Sequence, residues 1–214
     1  MNSAVIVAGG TGSRFGGNIP KQFIKIDGQE ILSFSVNTFS IHPQIDEVII
    51  VCNNKWMDHV SNHYPDCIVV EGGKRRQDSS LKGIRAVSNE SENVLIHDAA
   101  RPFVSEEIIS NCLAALENAD GSAPVMNISN SLIQLEKEKV SYVDRSKIKE
   151  LQTPQCFPKE FILRVFTAGA EGTDEIGMVL KTFSDSRLEF IIGSSMNNKI
   201  TSNLDLTYFS KMLG

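Results

Sequence analysis

Apolar residues along this chain fall into short runs separated by polar and glycine-rich stretches. Residues 4–8, 47–52, 67–70, 93–96 and 123–128 are runs rich in β-branched residues, which the length and composition predict as strands. Between them the spacing changes to helical: 31–39, about 54–63, 76–87 and 106–119. Ser105 before Glu106-Glu107 is a helix-start signal, and Asn53 or Asn54 is another. The strands read as continuous apolar runs, the pattern of a parallel sheet buried on both faces. The alternation through residue 128 predicts an α/β, Rossmann-like three-layer fold, with a mostly parallel sheet and helices on both faces.

Residues 129–152 break this pattern. Two alternating segments flank Glu136-Lys137-Glu138-Lys139, which predicts a protruding β-hairpin arm with a charged tip. A lone hairpin is marginal in water, so the arm is expected to pack on something, either a second subunit or its own domain. Helices are expected at 159–168 and 174–182, the latter capped by Thr173, then a strand at 188–192 and a terminal helix at 203–213. Leu151-Gln152-Thr153-Pro154-Gln155-Cys156-Phe157 reads as a proline turn. Nothing marks a linker or a repeat, so residues 1–214 are expected to form one domain.

In open sheets of this kind ligands sit beyond the carboxyl ends of the strands. Three segments should meet there: the loop of residues 9–21, the Gly72-Gly73 turn, and the segment 98–101. The first carries Gly9, Gly10, Gly12, Gly16 and Gly17 together with Arg14 and Lys21. Glycines let backbone N–H groups approach anionic oxygens, and the cations neutralise the remaining charge, so the loop suits a polyphosphate. It is not the dinucleotide fingerprint, because Phe15 stands where the third glycine is needed, and it is not a P-loop, because Asn18-Ile19 follows Gly17.

Ala8-Gly9-Gly10-Thr11-Gly12-Ser13-Arg14 followed by Pro20-Lys21-Gln22 resembles the signature loop of sugar- and polyol-activating nucleotidyltransferases. Gly72-Gly73-Lys74-Arg75-Arg76-Gln77-Asp78-Ser79, His97-Asp98-Ala99-Ala100-Arg101-Pro102, Asp144-Arg145 and Asn198-Lys199 continue the resemblance in order along nearly the whole chain. The pattern is similar to the 2-C-methyl-D-erythritol 4-phosphate/ribitol 5-phosphate cytidylyltransferase family. The resemblance implies transfer of CMP from CTP to a polyol phosphate, with Mg²⁺ held mainly by the triphosphate and Asp98 as a possible further ligand. It implies catalytic roles for Arg14, Lys21 and Lys199, and CTP contacts from Ala8, Gly9, Gly10, Gly12, Gly73, Arg76, Ser79 and Asp98. It assigns the acceptor to Asp98, Arg101, Ser131, Arg145 and Thr153, and a homodimer formed through the arm. His97 is expected to be structural.

The first acceptor implied is 2-C-methyl-D-erythritol 4-phosphate, in non-mevalonate isoprenoid synthesis; Ala99-Ala100 and Asp144-Arg145 favour it. Ribitol 5-phosphate or another pentitol phosphate, for wall or capsule polymers, is the alternative; Gly9-Gly10 and the Asn130-Ser131 start of the arm lean that way. From another class, the chain could be a nucleotide-binding regulator without catalysis, which the retained Arg14, Lys21 and Lys199 argue against.

A net charge of −5 argues against general nucleic-acid binding, so cations must cluster in space to hold an anion. No apolar run reaches membrane-spanning length, and no secretory signal is visible. The four widely spaced cysteines suit free thiols in a reducing compartment, and a cytoplasmic enzyme is expected.

Overall fold

The structure is a computed structural model that describes residues 1–10 and 19–213. Arg14 and Gly12 therefore lie outside the described residues. In chain order the strands and helices are β1 (Asn2–Ala8), β2 (Lys25–Ile26), β3 (Gln29–Glu30), α1 (Ile31–Ile41), β4 (Glu47–Cys52), α2 (Met57–His63), β5 (Ile68–Glu71), α3 (Arg76–Ala86), β6 (Asn93–Asp98) and α4 (Glu106–Leu116). They continue as β7 (Gly121–Asn127), β8 (Leu132–Glu136), β9 (Lys139–Val143), β10 (Lys149–Leu151), β11 (Gln155–Pro158), α5 (Lys159–Thr167), α6 (Glu175–Thr182), β12 (Leu188–Ile192) and α7 (Asn203–Leu213).

The main sheet runs β10-β7-β11-β6-β1-β4-β5, with β12 parallel to β7 on its other side. β1 is parallel to both β4 and β6, and β4 to β5. Val5 and Ile6 point to opposite faces and both are fully buried, so each face needs a cover. On one face Ala4, Ile6, Ile50 and Leu95 pack with Leu32, Val36 and Phe39 of α1 and Ile108, Ile109 and Leu113 of α4. On the other, Val5, Ile49, Val51 and Ile96 pack with Ile84 of α3, Ile162 and Val165 of α5, and Met178 and Val179 of α6. The three expected layers are present. A smaller cluster joins Ile26 and Ile31 to Ile200 and Phe209, which returns the late chain to the loops at the strand ends.

The close seating of α3 depends on one residue. A Cβ on Gly83 would lie 2.3 Å from Val5 Cγ1 and 2.8 Å from Val51 Cγ2, so only glycine lets the helix approach β1 and β4 this closely.

Three expectations change. The stretch read as a proline turn runs into β11, an antiparallel strand inserted between β6 and β7, with Cys156 and Phe157 fully buried. Four residues ending in proline carry too short a pattern to register as a strand, and pairing partners on both sides supply the stabilisation that local sequence does not. β10, within the segment read as the arm, instead lies antiparallel along the end of β7. Thr173 does not cap α6: Asp174 does, its carboxylate accepting from Gly177 N at 2.8 Å. Ser105 caps α4 as expected, accepting from Ile108 N at 3.3 Å.

The arm is the two-stranded β8–β9 hairpin, turning at Lys137 with φ 51°. Ile133, Leu135, Val140 and Tyr142 are all 60% exposed or more, so its apolar side chains find little cover within the chain. All four cysteines are free thiols. Among the described residues, no helix is long and apolar enough to cross a membrane.

Candidate active site

Parallel registry brings the strand ends to one edge. Ala8 pairs with Cys52, Cys52 with Glu71, and Val7 with Asp98, so the loops after β1, β5 and β6 emerge side by side. Here lies a cavity of about 580 Å³. Among the described residues its walls carry five cations, Lys21, Lys74, Arg75, Arg76 and Lys199, and a single carboxylate, Asp98. A chain of net charge −5 thus concentrates positive charge where the sheet topology predicts a ligand.

The loop ends are held by hydrogen bonds that explain the motif residues. Gln22, itself buried, donates from Nε2 to Ala8 O at 2.5 Å and to Gly10 O at 2.9 Å, tying the exit of the first loop to its start. Ser79 Oγ accepts from Gly73 N at 3.0 Å. A Cβ on Gly9 or Gly72 would come within 3.3 or 3.0 Å of that hydroxyl, so the glycines make room for it. Lys21 Nζ donates to the Ile200 carbonyl, and Ile200 N donates to Ala100 O at 2.8 Å, which bring the late chain over the first loop.

Asp98 is the hub of the charged groups. Its Oδ1 accepts from Arg76 Nε at 2.9 Å and its Oδ2 from Lys199 Nζ at 2.6 Å. Burial disfavours its charge, but the two cations outweigh burial and hold the carboxyl well below the usual carboxylate range. Arg76 Nη1 also grips both oxygens of Glu175, at 2.8 and 2.9 Å, and Glu175 is fully buried. The pull of Glu175 and Asp98 exceeds the effect of burial and raises the Arg76 pKa. Arg76 Nη2 is buried with no hydrogen-bond partner among the described residues.

Beneath the hub runs a directional chain. Asp98 N donates to Thr153 Oγ1 at 3.1 Å, and His97 Nδ1 lies 3.0 Å from that hydroxyl. His97 Nε2 lies 2.9 Å from Arg101 O. A carbonyl only accepts, so Nε2 carries the proton and Nδ1 accepts from Thr153. The neutral ring is therefore the one that fits, and burial pushes the His97 pKa down to about 4. His97 is structural, as expected.

The cavity gathers the expected Ala8, Gly9, Gly10, Lys21, Gly73, Arg76, Ser79, Asp98 and Lys199. Four expected acceptor residues are not among those lining it. Thr153 is buried under Asp98 in the chain just described. Arg101 Nη1 donates to Asn197 O at 2.7 Å, and Asn197 Nδ2 to Thr153 O at 2.8 Å; both serve the frame that carries Lys199. Ser131 is exposed at the base of the arm, and Arg145 there donates to the Ser129 carbonyl.

The sequence does not disclose the partner of Glu175 or the place of Asn197. Glu175 reads as an ordinary acid in a first helical turn, and its partner Arg76 is 99 residues away. Gln22 was visible only as part of the Pro-Lys-Gln motif.

Comparison with known proteins agrees with this geometry. Residues 2–214 match the family model described as IspD: 2-C-methyl-D-erythritol 4-phosphate cytidylyltransferase. The chain belongs to that family. It is 37% identical over 225 residues to the 2-C-methyl-D-erythritol 4-phosphate cytidylyltransferase of Clostridium botulinum (strain 657 / Type Ba4), covering 99% of this chain and 97% of that one. It is 35% identical over 226 residues to the bifunctional ribulose 5-phosphate reductase/CDP-ribitol pyrophosphorylase Bcs1 of Haemophilus influenzae, where it covers 99% of this chain but spans only 48% of that protein. Among solved structures, the 4-diphosphocytidyl-2C-methyl-D-erythritol synthase of Anaerococcus prevotii superposes with a TM-score of 0.88 at 25% identity, covering 99% of this chain and 95% of that one. Family membership makes the chain a nucleotidyltransferase with an α/β fold.

Proposed function

We propose that this chain transfers the cytidylyl group of CTP to 2-C-methyl-D-erythritol 4-phosphate, forming 4-diphosphocytidyl-2-C-methyl-D-erythritol and pyrophosphate. The observation that carries the reading is the cation-lined cavity built from the family's own motifs.

In this reaction an oxygen of the acceptor phosphate attacks the α-phosphorus of CTP. The bond from that phosphorus to the bridging β-oxygen breaks, and pyrophosphate leaves with the bonding electrons. A phosphate monoester has a second pKa of about 6, so the attacking oxygen needs no general base near neutral pH. What the protein must supply is relief of repulsion between two anions and their alignment in line. Lys21 and Lys199 stand on the cavity wall, where they would balance charge at the α-phosphate, with Arg14 of the same loop as their expected partner. Arg76 keeps its charge through Glu175 and Asp98, and its buried Nη2 has no hydrogen-bond partner among the described residues. Gly73 and Ser79 set the turn expected to read the cytosine.

Both oxygens of Asp98 already accept from cations, and no other carboxylate lines the cavity among the described residues. That donor set suits Mg²⁺ carried on the triphosphate oxygens, with Asp98 as a ligand only after giving up Lys199 or Arg76. A divalent ion held beside Asp98 would supply charge neutralisation of the triphosphate.

Ser131 and Arg145 stand at the base of an arm with exposed apolar residues and do not line the cavity of their own chain. A homodimer in which each arm serves the partner's cavity would use both features, and the cytoplasm supplies both substrates. The second reading of the acceptor is ribitol 5-phosphate, favoured by the match of nearly this whole chain to about half of the Haemophilus influenzae relative, at 35% identity.

Pyrophosphate release with CTP and each acceptor, with Mg²⁺ and then with excess EDTA, tests the proposal. Release with 2-C-methyl-D-erythritol 4-phosphate that stops with EDTA is expected. Tight CTP binding with no release from either acceptor would replace it with the regulatory reading.

A further inference from the structure

We infer a transition-metal site remote from the cation-lined cavity, formed by Glu30, His59 and His63 and suited to Zn²⁺. Each of the three offers a ligand atom, and these atoms lie within 4.8 Å of one another. They come from two elements: Glu30 ends β3, and His59 and His63 are one turn apart on α2, so both imidazoles share a helix face.

The donors are already oriented. Glu30 Oε1 is 2.6 Å from His59 Nε2, and Glu30 Oε2 accepts from Tyr64 Oη at 3.1 Å, which fixes the carboxylate plane. His63 Nδ1 lies 2.8 Å from the His59 carbonyl. That carbonyl can only accept, so Nδ1 carries a proton and, in the neutral ring, Nε2 carries the lone pair. A backbone carbonyl holding one imidazole nitrogen while the other binds metal is the usual outer-shell arrangement of histidine ligands. The two rings stand 4.1 Å apart at their centroids.

Two imidazoles and one carboxylate form a nitrogen–oxygen set that Zn²⁺ accepts with water in the fourth position. Ligand atoms about 2.0–2.1 Å from a tetrahedral ion are about 3.3 Å from each other. The Glu30–His59 contact would therefore open slightly, the ion would displace the His59 Nε2 proton, which leaves to solvent or moves to Nδ1, and His63 would swing inward by side-chain rotation. Glu30 is buried while His63 is exposed, so the ion has both a fixed anchor and an approach from solvent. Imidazole ligation sets this site apart from Mg²⁺, which prefers oxygen.

Occupancy would pin α2 to the β2–β3 hairpin. His59 also meets Phe23 edge-on at 5.6 Å, and Phe23 stacks on Trp56 at 4.3 Å. Phe23 belongs to the turn that begins at Lys21, which links the site mechanically to the cavity.

The test uses tag-free protein dialysed against chelator, titrated with Co²⁺ and followed by visible absorption, then displaced with Zn²⁺. One equivalent of Co²⁺ with tetrahedral bands, displaced by Zn²⁺, is expected. Outer-shell changes alone weaken metal sites by about 10–100-fold, so His63→Ala should weaken binding at least that much. His63 is exposed, so this variant keeps its fold, checked by an unchanged melting curve in EDTA. His63→Cys supplies a thiolate and should restore binding. Absence of stoichiometric binding to the wild type, or equal binding by His63→Ala, would overturn the inference.

Discussion

Glu175→Gln removes one negative charge from beneath Arg76 and keeps the side-chain shape. In the wild type the carboxylate is fully buried and receives two hydrogen bonds from Arg76 Nη1. Removing one partner of a buried ion pair costs about 3–5 kcal/mol, because the remaining charge loses its compensation. Two features reduce that figure here. Arg76 keeps Asp98 at 2.9 Å, and the amide oxygen of Gln still accepts one bond. A loss of about 2–3 kcal/mol is therefore expected, at or just below the lower bound for a fully broken buried pair. For a chain of this length each kcal/mol moves the melting temperature by about 2–4 °C, so the expected fall is about 4–12 °C. Thermal and urea unfolding at neutral pH measure it. Glu171→Gln is the matched control: its partner Arg75 is an exposed arginine, and screened surface pairs contribute little. A Glu175→Gln protein within about 0.5 kcal/mol of wild type, the ordinary range for surface substitutions, would refute the claim that this pair supports the site.

Three further outcomes follow from the same geometry. His97 is held neutral with its pKa pushed down to about 4, whereas the unfolded ring titrates near 6.5, so the unfolded chain binds the proton first. Stability should then fall by about 3 kcal/mol as pH drops from about 6.5 to 4, read from urea unfolding across that range; Asp98, lowered instead, gives up its contribution only below the ordinary carboxylate range. Gly83→Ala should destabilise by about 1–3 kcal/mol through overpacking against Val5 and Val51, against the usual gain for alanine in a helix, as denaturant midpoints would show. Lys21→Ala should lower kcat about 10²–10³-fold, as expected for loss of a preorganised donor, while stability falls only by the roughly 1 kcal/mol of its hydrogen bond to the Ile200 carbonyl, read from urea unfolding.

The contrast between what the chain disclosed and what it concealed follows interaction range. β1, β4 and β6 announce themselves because burial on both faces demands an unbroken apolar run. The shared direction of β1, β5 and β6 then places residues 9, 73 and 98 on one edge. β11 stayed hidden because its strand character comes from neighbours on either side, not from its four residues. Glu175 stayed hidden for a similar reason: a first-turn glutamate looks the same whether it faces water or a buried arginine. Thr153 was expected at the acceptor, yet its hydroxyl is spent on Asp98 N and His97, a commitment that only folding reveals.

The central claim is that the cation-lined cavity joins CTP to 2-C-methyl-D-erythritol 4-phosphate. The most direct measurement supplies CTP, Mg²⁺ and equal amounts of that acceptor and ribitol 5-phosphate, then weighs the products by mass spectrometry. The account predicts that 4-diphosphocytidyl-2-C-methyl-D-erythritol dominates and that Lys21→Ala suppresses it. CDP-ribitol as the main product would contradict the acceptor assignment, and no cytidylyl product at all would contradict the account itself.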